Sequence, residues 1–156
     1  MDTKALAQRV ASKFHTRDPF CIAEALGMVL IFAPLVGMRG LRQCVHRRTV
    51  IYINSELDEH QQRLVCAHEL GHHFQHRGLN RVFMDRNTDM VAGKFENEAH
   101  RFALELLYTD EDLQPFLSRS ITDAAAFMGV PLPLATYRMS TVQPTLWAQF
   151  EQEVTT

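Results

Sequence analysis

Five consecutive residues, His68-Glu69-Leu70-Gly71-His72, form a complete H-E-x-x-H. Residues four apart on a helix share one face, one turn from each other. His68 and His72 are therefore spaced to grip one metal ion. Glu69 sits one step round, where a carboxylate can take a proton from water held on that ion. Zinc is the expected cofactor, although two imidazoles and a carboxylate accept several divalent ions. Metal-assisted hydrolysis needs a third protein ligand and one position left open.

The third ligand is sought in Glu96-Asn97-Glu98-Ala99-His100. Ala99, Phe102, Ala103, Leu106 and Leu107 follow helical spacing and define a buried stripe. At roughly 100° per residue, Glu96 falls roughly 60° from the stripe centre, whereas Glu98 and His100 fall roughly 100° away on opposite flanks. A carboxylate on the inward face is costly unless paired or metal-bound, so Glu96 is the expected third ligand. The competing reading makes Glu96 an acid in the first turn of its helix, complementing the dipole. His76 continues the His68/His72 face by another turn. For stabilising a developing oxyanion, His73, His76, His100, Tyr52 and Tyr108 all qualify, and the sequence does not rank them.

The elements that must position these groups are readable in outline. Ala5 to Phe14 has helical spacing. Asp18-Pro19 reads as N-cap and first-turn proline of a second helix over Phe20 to Leu26, ended by Gly27. A small sheet follows: Met28 to Phe32, Leu41 to Val45 after a turn at Gly37 to Gly40, and Thr49 to Ile53, which is the clearest strand. That last strand is expected to offer an edge for an extended peptide. Ser55 to Arg77 is the motif helix, with Gly78 as its stop. Leu79 to Gly93 reads as a long loop, and Phe95 to Leu107 as a second strong helix. Shorter helices are expected at Asp110 to Leu117, Thr122 to Met128 and Leu134 to Met139. From Pro144 onward, a tail with Trp147 and Phe150 docks as a last turn or helix.

The chain has 156 residues, 46% hydrophobic and 22% charged, which suits one globular domain over 1–156. Its net charge of -2 does not suggest a nucleic-acid binder. Ile121 to Val130 followed by Arg138 has the look of a helix-turn-helix. However, Pro131 and Pro133 fall where its second helix should begin and basic residues are few, so the segment reads as two packed helices. No secretory signal is expected in Met1 to Val10, and no apolar run is long enough to cross a membrane. Cys21, Cys44 and Cys66 lack a C-x-x-C, which points to free buried thiols in a reducing cytoplasm.

With these residues in hand, the chain resembles the ImmA/IrrE family of metallopeptidases. Asp18-Pro19-Phe20 with Ile22-Ala23 and Leu26-Gly27 resembles the family's D-P-F-x-I-A-x-x-L-G segment. Ile51 to Asn54 followed by His68 to His72 resembles its I-x-I-N strand and active helix. Glu96 to Leu107 resembles its E-x-E-A-N-x-F-A-x-x-L-L segment, whose first glutamate is the third zinc ligand and maps onto Glu96. Two positions depart from the pattern: His100 stands in place of Asn, and Tyr108-Thr109 in place of Met-Pro. The resemblance implies an α+β, zincin-like domain: a small mixed sheet packed on the active-site helix. It also implies zinc-dependent cleavage of a helix-turn-helix repressor, relieving repression of a phage, a mobile element or a stress regulon. The alternative is a zinc-stabilised anti-repressor or antitoxin-like partner that binds the regulator without cutting it; His100, as a fourth ligand, motivates it.

Overall fold

The computed structural model describes residues 2–76 and 89–145, which fall into two compact units divided between Leu107 and Tyr108. The architecture is α+β, with one three-stranded sheet and seven α-helices among the described residues.

The first unit opens with two helices, each begun by an aspartate. In α1 (Thr3–Phe14), Asp2 accepts from the Lys4 and Ala5 amides. In α2 (Pro19–Ala25), Asp18 accepts from Phe20 N at 2.9 Å and Pro19 opens the first turn. Partial burial works against the Asp18 carboxylate, but the Phe20 amide and Arg63 outweigh it and hold its pKa below the ordinary value.

The sheet comprises β1 (Val29–Ala33), β2 (Gly40–Val45) and β3 (Arg48–Asn54), in the order β1-β3-β2. β3 runs parallel to β1 and antiparallel to β2. The β2–β3 hairpin turns at His46 and Arg47, both with positive φ (49° and 65°), as a tight primed turn requires. The expectation that Thr49 to Ile53 offers a free edge is therefore corrected. β3 is central, hydrogen-bonded on both sides, and among the described residues the outer edges belong to β1 and β2. Asn54 ends β3 and clamps the β1–β2 loop: its Nδ2 donates to Leu35 O and Met38 O, both at 3.1 Å.

Helix α3 (Glu59–Gln75) starts at Asp58, whose carboxylate accepts from Gln61 N at 2.8 Å. Leu64, Val65, Cys66, Ala67, Leu70 and Gly71 are all buried, because the sheet, α2 and α4 enclose this helix. Helix α4 (Asp89–Leu107) begins well before Phe95, so 89–93 are helical where a loop was expected. The rest of that loop, residues 79–88, lies outside the described residues. So do Arg77, Gly78 and the tail carrying Trp147 and Phe150. The core of this unit joins Ile22, Ile51 and Ile53 to Cys66, Leu70, Phe102 and Leu106. Arg17 Nη1 donates to Glu105 O and Leu106 O, both at 3.1 Å, satisfying carbonyls at the end of α4.

The second unit holds α5 (Asp110–Leu113), a 3-10 turn (Gln114–Ser118), α6 (Ile121–Met128) and α7 (Leu132–Ser140). Pro131 and Pro133 sit at the start of α7, where a missing N–H costs nothing. They begin this helix rather than obstruct it. Arg138, the basic residue of the helix-turn-helix look-alike, is 1% exposed. Its Nη2 donates to Tyr108 O and Asp110 Oδ1 at 2.8 Å, and its Nη1 to Thr141 Oγ1 at 2.9 Å. A guanidinium so occupied is not presented to a phosphate backbone.

Candidate metal centre

Helices α3 and α4 lie side by side at close range. Gly71 makes this approach possible: a Cβ at this position would stand 2.9 Å from both the Cα and the carbonyl oxygen of Ala99. Two residues without bulk, Gly71 and Ala99, bring the two backbones together. His68 and His72 then face Glu96 across the groove.

The three donors converge. His68 Nε2 lies 3.0 Å from Glu96 Oε2, His72 Nε2 lies 2.9 Å from Glu96 Oε1, and the two ring nitrogens are 3.2 Å apart. Ligands roughly 2.0–2.1 Å from a tetrahedral ion stand about 3.3 Å from one another, and the separations here are close to that, each imidazole meeting a different Glu96 oxygen. The donor types, two imidazoles and a carboxylate, suit zinc. Hydrogen bonds from His68 and then His72 hold the Glu96 carboxyl well below the ordinary carboxylate range. Among the described residues, buried His68 Nδ1 has no hydrogen-bond partner.

The helical wheel gives the direction of Glu96 and misjudges its depth. Its side chain points at α3 yet is 51% exposed, because it lies at the open rim of the groove. The reading of Glu96 as a first-turn acid fails, since α4 begins at Asp89. The two flanking residues separate as the wheel arranges them. Glu98 turns to His76, with its Oε2 2.9 Å from His76 Nε2. His100 turns to His68, with ring centroids 4.2 Å apart. One His100 nitrogen lies within 4.8 Å of donor atoms of His68 and Glu96.

Glu69 follows His68 in the chain and is 13% exposed, and Arg42 Nε on β2 approaches its Oε2 at 3.8 Å. Sequence reasoning missed Arg42, because the contact depends on β2 lying at the sheet edge beside α3. Of the other oxyanion candidates, Tyr108 belongs to the second unit and donates to Met128 O at 3.1 Å. Burial pushes its hydroxyl up to about 12. His76 is occupied by His72 and Glu98. Cys66 is core, its thiol pushed up to about 12 by burial. Cys21 and Cys44 are exposed, which corrects the expectation of three buried thiols. Each sits on an outward position of its element.

Burial, and then the neighbouring His68, lower the His100 imidazole to about 4. Burial likewise lowers His76. A histidine kept neutral by folding takes up its proton more readily in the unfolded chain. Stability is therefore complete above the ordinary value near 6.5 and is lost as pH falls toward 4. Thermal melts of metal-free protein across this window are expected to show that loss, and His100→Asn to flatten it. Identical slopes in the two proteins would remove His100 as a cause.

Residues 23–140 match the peptidase family described as IrrE N-terminal-like domain. The protein named metallopeptidase ImmA, from Bacillus subtilis (strain 168), is 37% identical over 147 residues, covering 89% of this chain and 85% of that protein. Immunity region protein 2 of Bacillus phage phi105 is 35% identical over 135 residues, 85% of each chain. A Mycobacterium tuberculosis transcriptional regulator shares the fold at a TM-score of 0.61 and 15% identity. The match covers 95% of this chain and 49% of the regulator, so the chain spans about half that protein's length. The chain belongs to the ImmA/IrrE family of metallopeptidases. Among the described residues, no helix is long and apolar enough to cross a membrane.

Proposed function

We propose that the chain is a zinc-dependent endopeptidase of zincin-like layout. Its metal ligands are His68, His72 and Glu96, and its catalytic base is Glu69. One observation carries this reading: the imidazoles of His68 and His72, 3.2 Å apart on one helix, each lie within 3.0 Å of a Glu96 carboxylate oxygen on another. When bound, zinc supplies a Lewis acid and lowers the pKa of water toward about 7. In this reading Glu69 takes the proton of the attacking water and passes it to the leaving nitrogen. Arg42 approaches that carboxylate from the sheet side at 3.8 Å. The outer edge of β2 can receive an extended peptide, since β3 has no edge to give.

The substrate we propose is a helix-turn-helix repressor in the cytoplasm, cut to relieve repression of a phage, a mobile element or a stress regulon. The likeness to a phage immunity region protein supports that setting. A second reading has one observation in its favour. His100 groups with His68 and Glu96, though not with His72, and a further protein ligand there would close a zinc site to water. The chain would then be a zinc-stabilised binder of its regulator.

Metal content by mass spectrometry tests the site, on protein purified without added metal. The parent is expected to carry near-stoichiometric zinc and Glu96→Ala to lose most of it. Equal zinc in both would remove Glu96 from the ligand set.

A further inference from the structure

His72 does not stand alone on its far side. Its Nδ1 lies 2.9 Å from Nδ1 of His76, and Nε2 of His76 lies 2.9 Å from Oε2 of Glu98. His76 is 6% exposed, and the Phe95 ring packs on it with centroids 4.5 Å apart. Lys94 Nζ stands 4.0 Å from the other oxygen of Glu98.

Hydrogen-bond logic allows these three side chains one arrangement once His72 Nε2 binds a metal. The ring must then carry its proton on Nδ1. Nδ1 of His76 has to accept that proton's hydrogen bond, so His76 carries its own proton on Nε2. That N–H points at Glu98, whose carboxylate can only accept. We infer that His76 and Glu98 are positioning residues that fix the tautomer and ring plane of His72 for metal binding. The inference rests on the proposal that His72 is a ligand. It also makes the two histidines unequal: His68 Nδ1 has no such partner among the described residues. Within the E-x-E segment it gives the two glutamates different tasks, Glu96 at the metal and Glu98 behind the second histidine.

Partners of ligating histidines typically account for about 10–100-fold in metal affinity. The test is zinc titration against a chelator of known affinity, on parent, His76→Ala, Glu98→Ala and the double variant. The visible spectrum of the cobalt-substituted proteins reports ligand geometry. His76→Ala is expected to weaken zinc binding by about 10–100-fold and to alter the cobalt bands. Glu98→Ala should weaken it in the parent and have no further effect once His76 is gone, because it acts through His76. A general packing role would lower the melting temperature of metal-free protein without this dependence. If His76→Ala does not fold, Glu98→Ala decides, since Glu98 is a half-buried group at the surface. Parent-like zinc affinity and cobalt spectra in folded variants overturn the inference and leave the metal site standing. A parent that takes up no zinc overturns both.

Discussion

Replacing Glu69 by Gln is expected to lower peptide hydrolysis by roughly 10²–10⁴-fold, the usual contribution of a positioned acid–base group. Zinc content should stay at the parental level. The substitution keeps the size and shape of a side chain that is 13% exposed and removes only its ability to take a proton. Glu69 takes no part in the contacts among His68, His72 and Glu96, so loss of its charge leaves those contacts in place. Arg42 loses an ionic partner, but at 3.8 Å and 35% exposed this is a contact of small consequence for folding. The measurement is the rate of repressor cleavage by zinc-loaded Glu69→Gln against parent, with derepression followed in cells. A parental rate in the variant rules Glu69 out as the base. Lost cleavage with derepression retained favours the non-proteolytic binder.

Which parts of this site the sequence reveals follows from what periodicity encodes. Spacing gives azimuth: it put His68 and His72 on one face, turned Glu96 toward that face, and set Glu98 and His100 on opposite flanks. It does not give depth, so Glu96 was expected inside and lies at the rim. Sheet order was also out of reach of a local pattern, although one signal existed. Val50, Ile51 and Ile53 are buried in a near-continuous run, which marks a strand covered on both faces better than a half-exposed one. The hairpin turn carried no Asn-Gly signature, because His46 and Arg47 supply the positive φ themselves. Arg42 could not be placed beside Glu69 without knowing that β2 is the edge. The early start of α4 was hidden by Gly93, which weakens a helical pattern without ending the helix.

Gly71 shows the same limit from the other direction, and the second large effect is expected there. In a peptide helix, Gly→Ala is favourable by about 1 kcal/mol. Gly93, on α4, should behave that way: nothing lies within 4 Å of a Cβ placed there. Gly93→Ala is therefore expected to stabilise the fold by roughly 0.5–1 kcal/mol. At Gly71 the new methyl meets main-chain atoms of Ala99, its Cα and O at 2.9 Å and its C at 3.3 Å. Backbone cannot rotate away, so α3 and α4 must part by several tenths of an ångström. Overpacking of this kind costs about 1–3 kcal/mol, which exceeds the gain in helix propensity. The separation also acts on function, because it carries Glu96 away from His68 and His72, and ligand positions tolerate only about 0.5 Å. Gly71→Ala is expected to lower the melting temperature by several degrees and to weaken zinc binding at least about tenfold, measured by chelator competition. Ala99→Gly should not rescue it, since the atoms in the way are main chain and remain. A Gly71→Ala protein that melts higher than parent and holds zinc as tightly would show that this close helix approach is not what assembles the site.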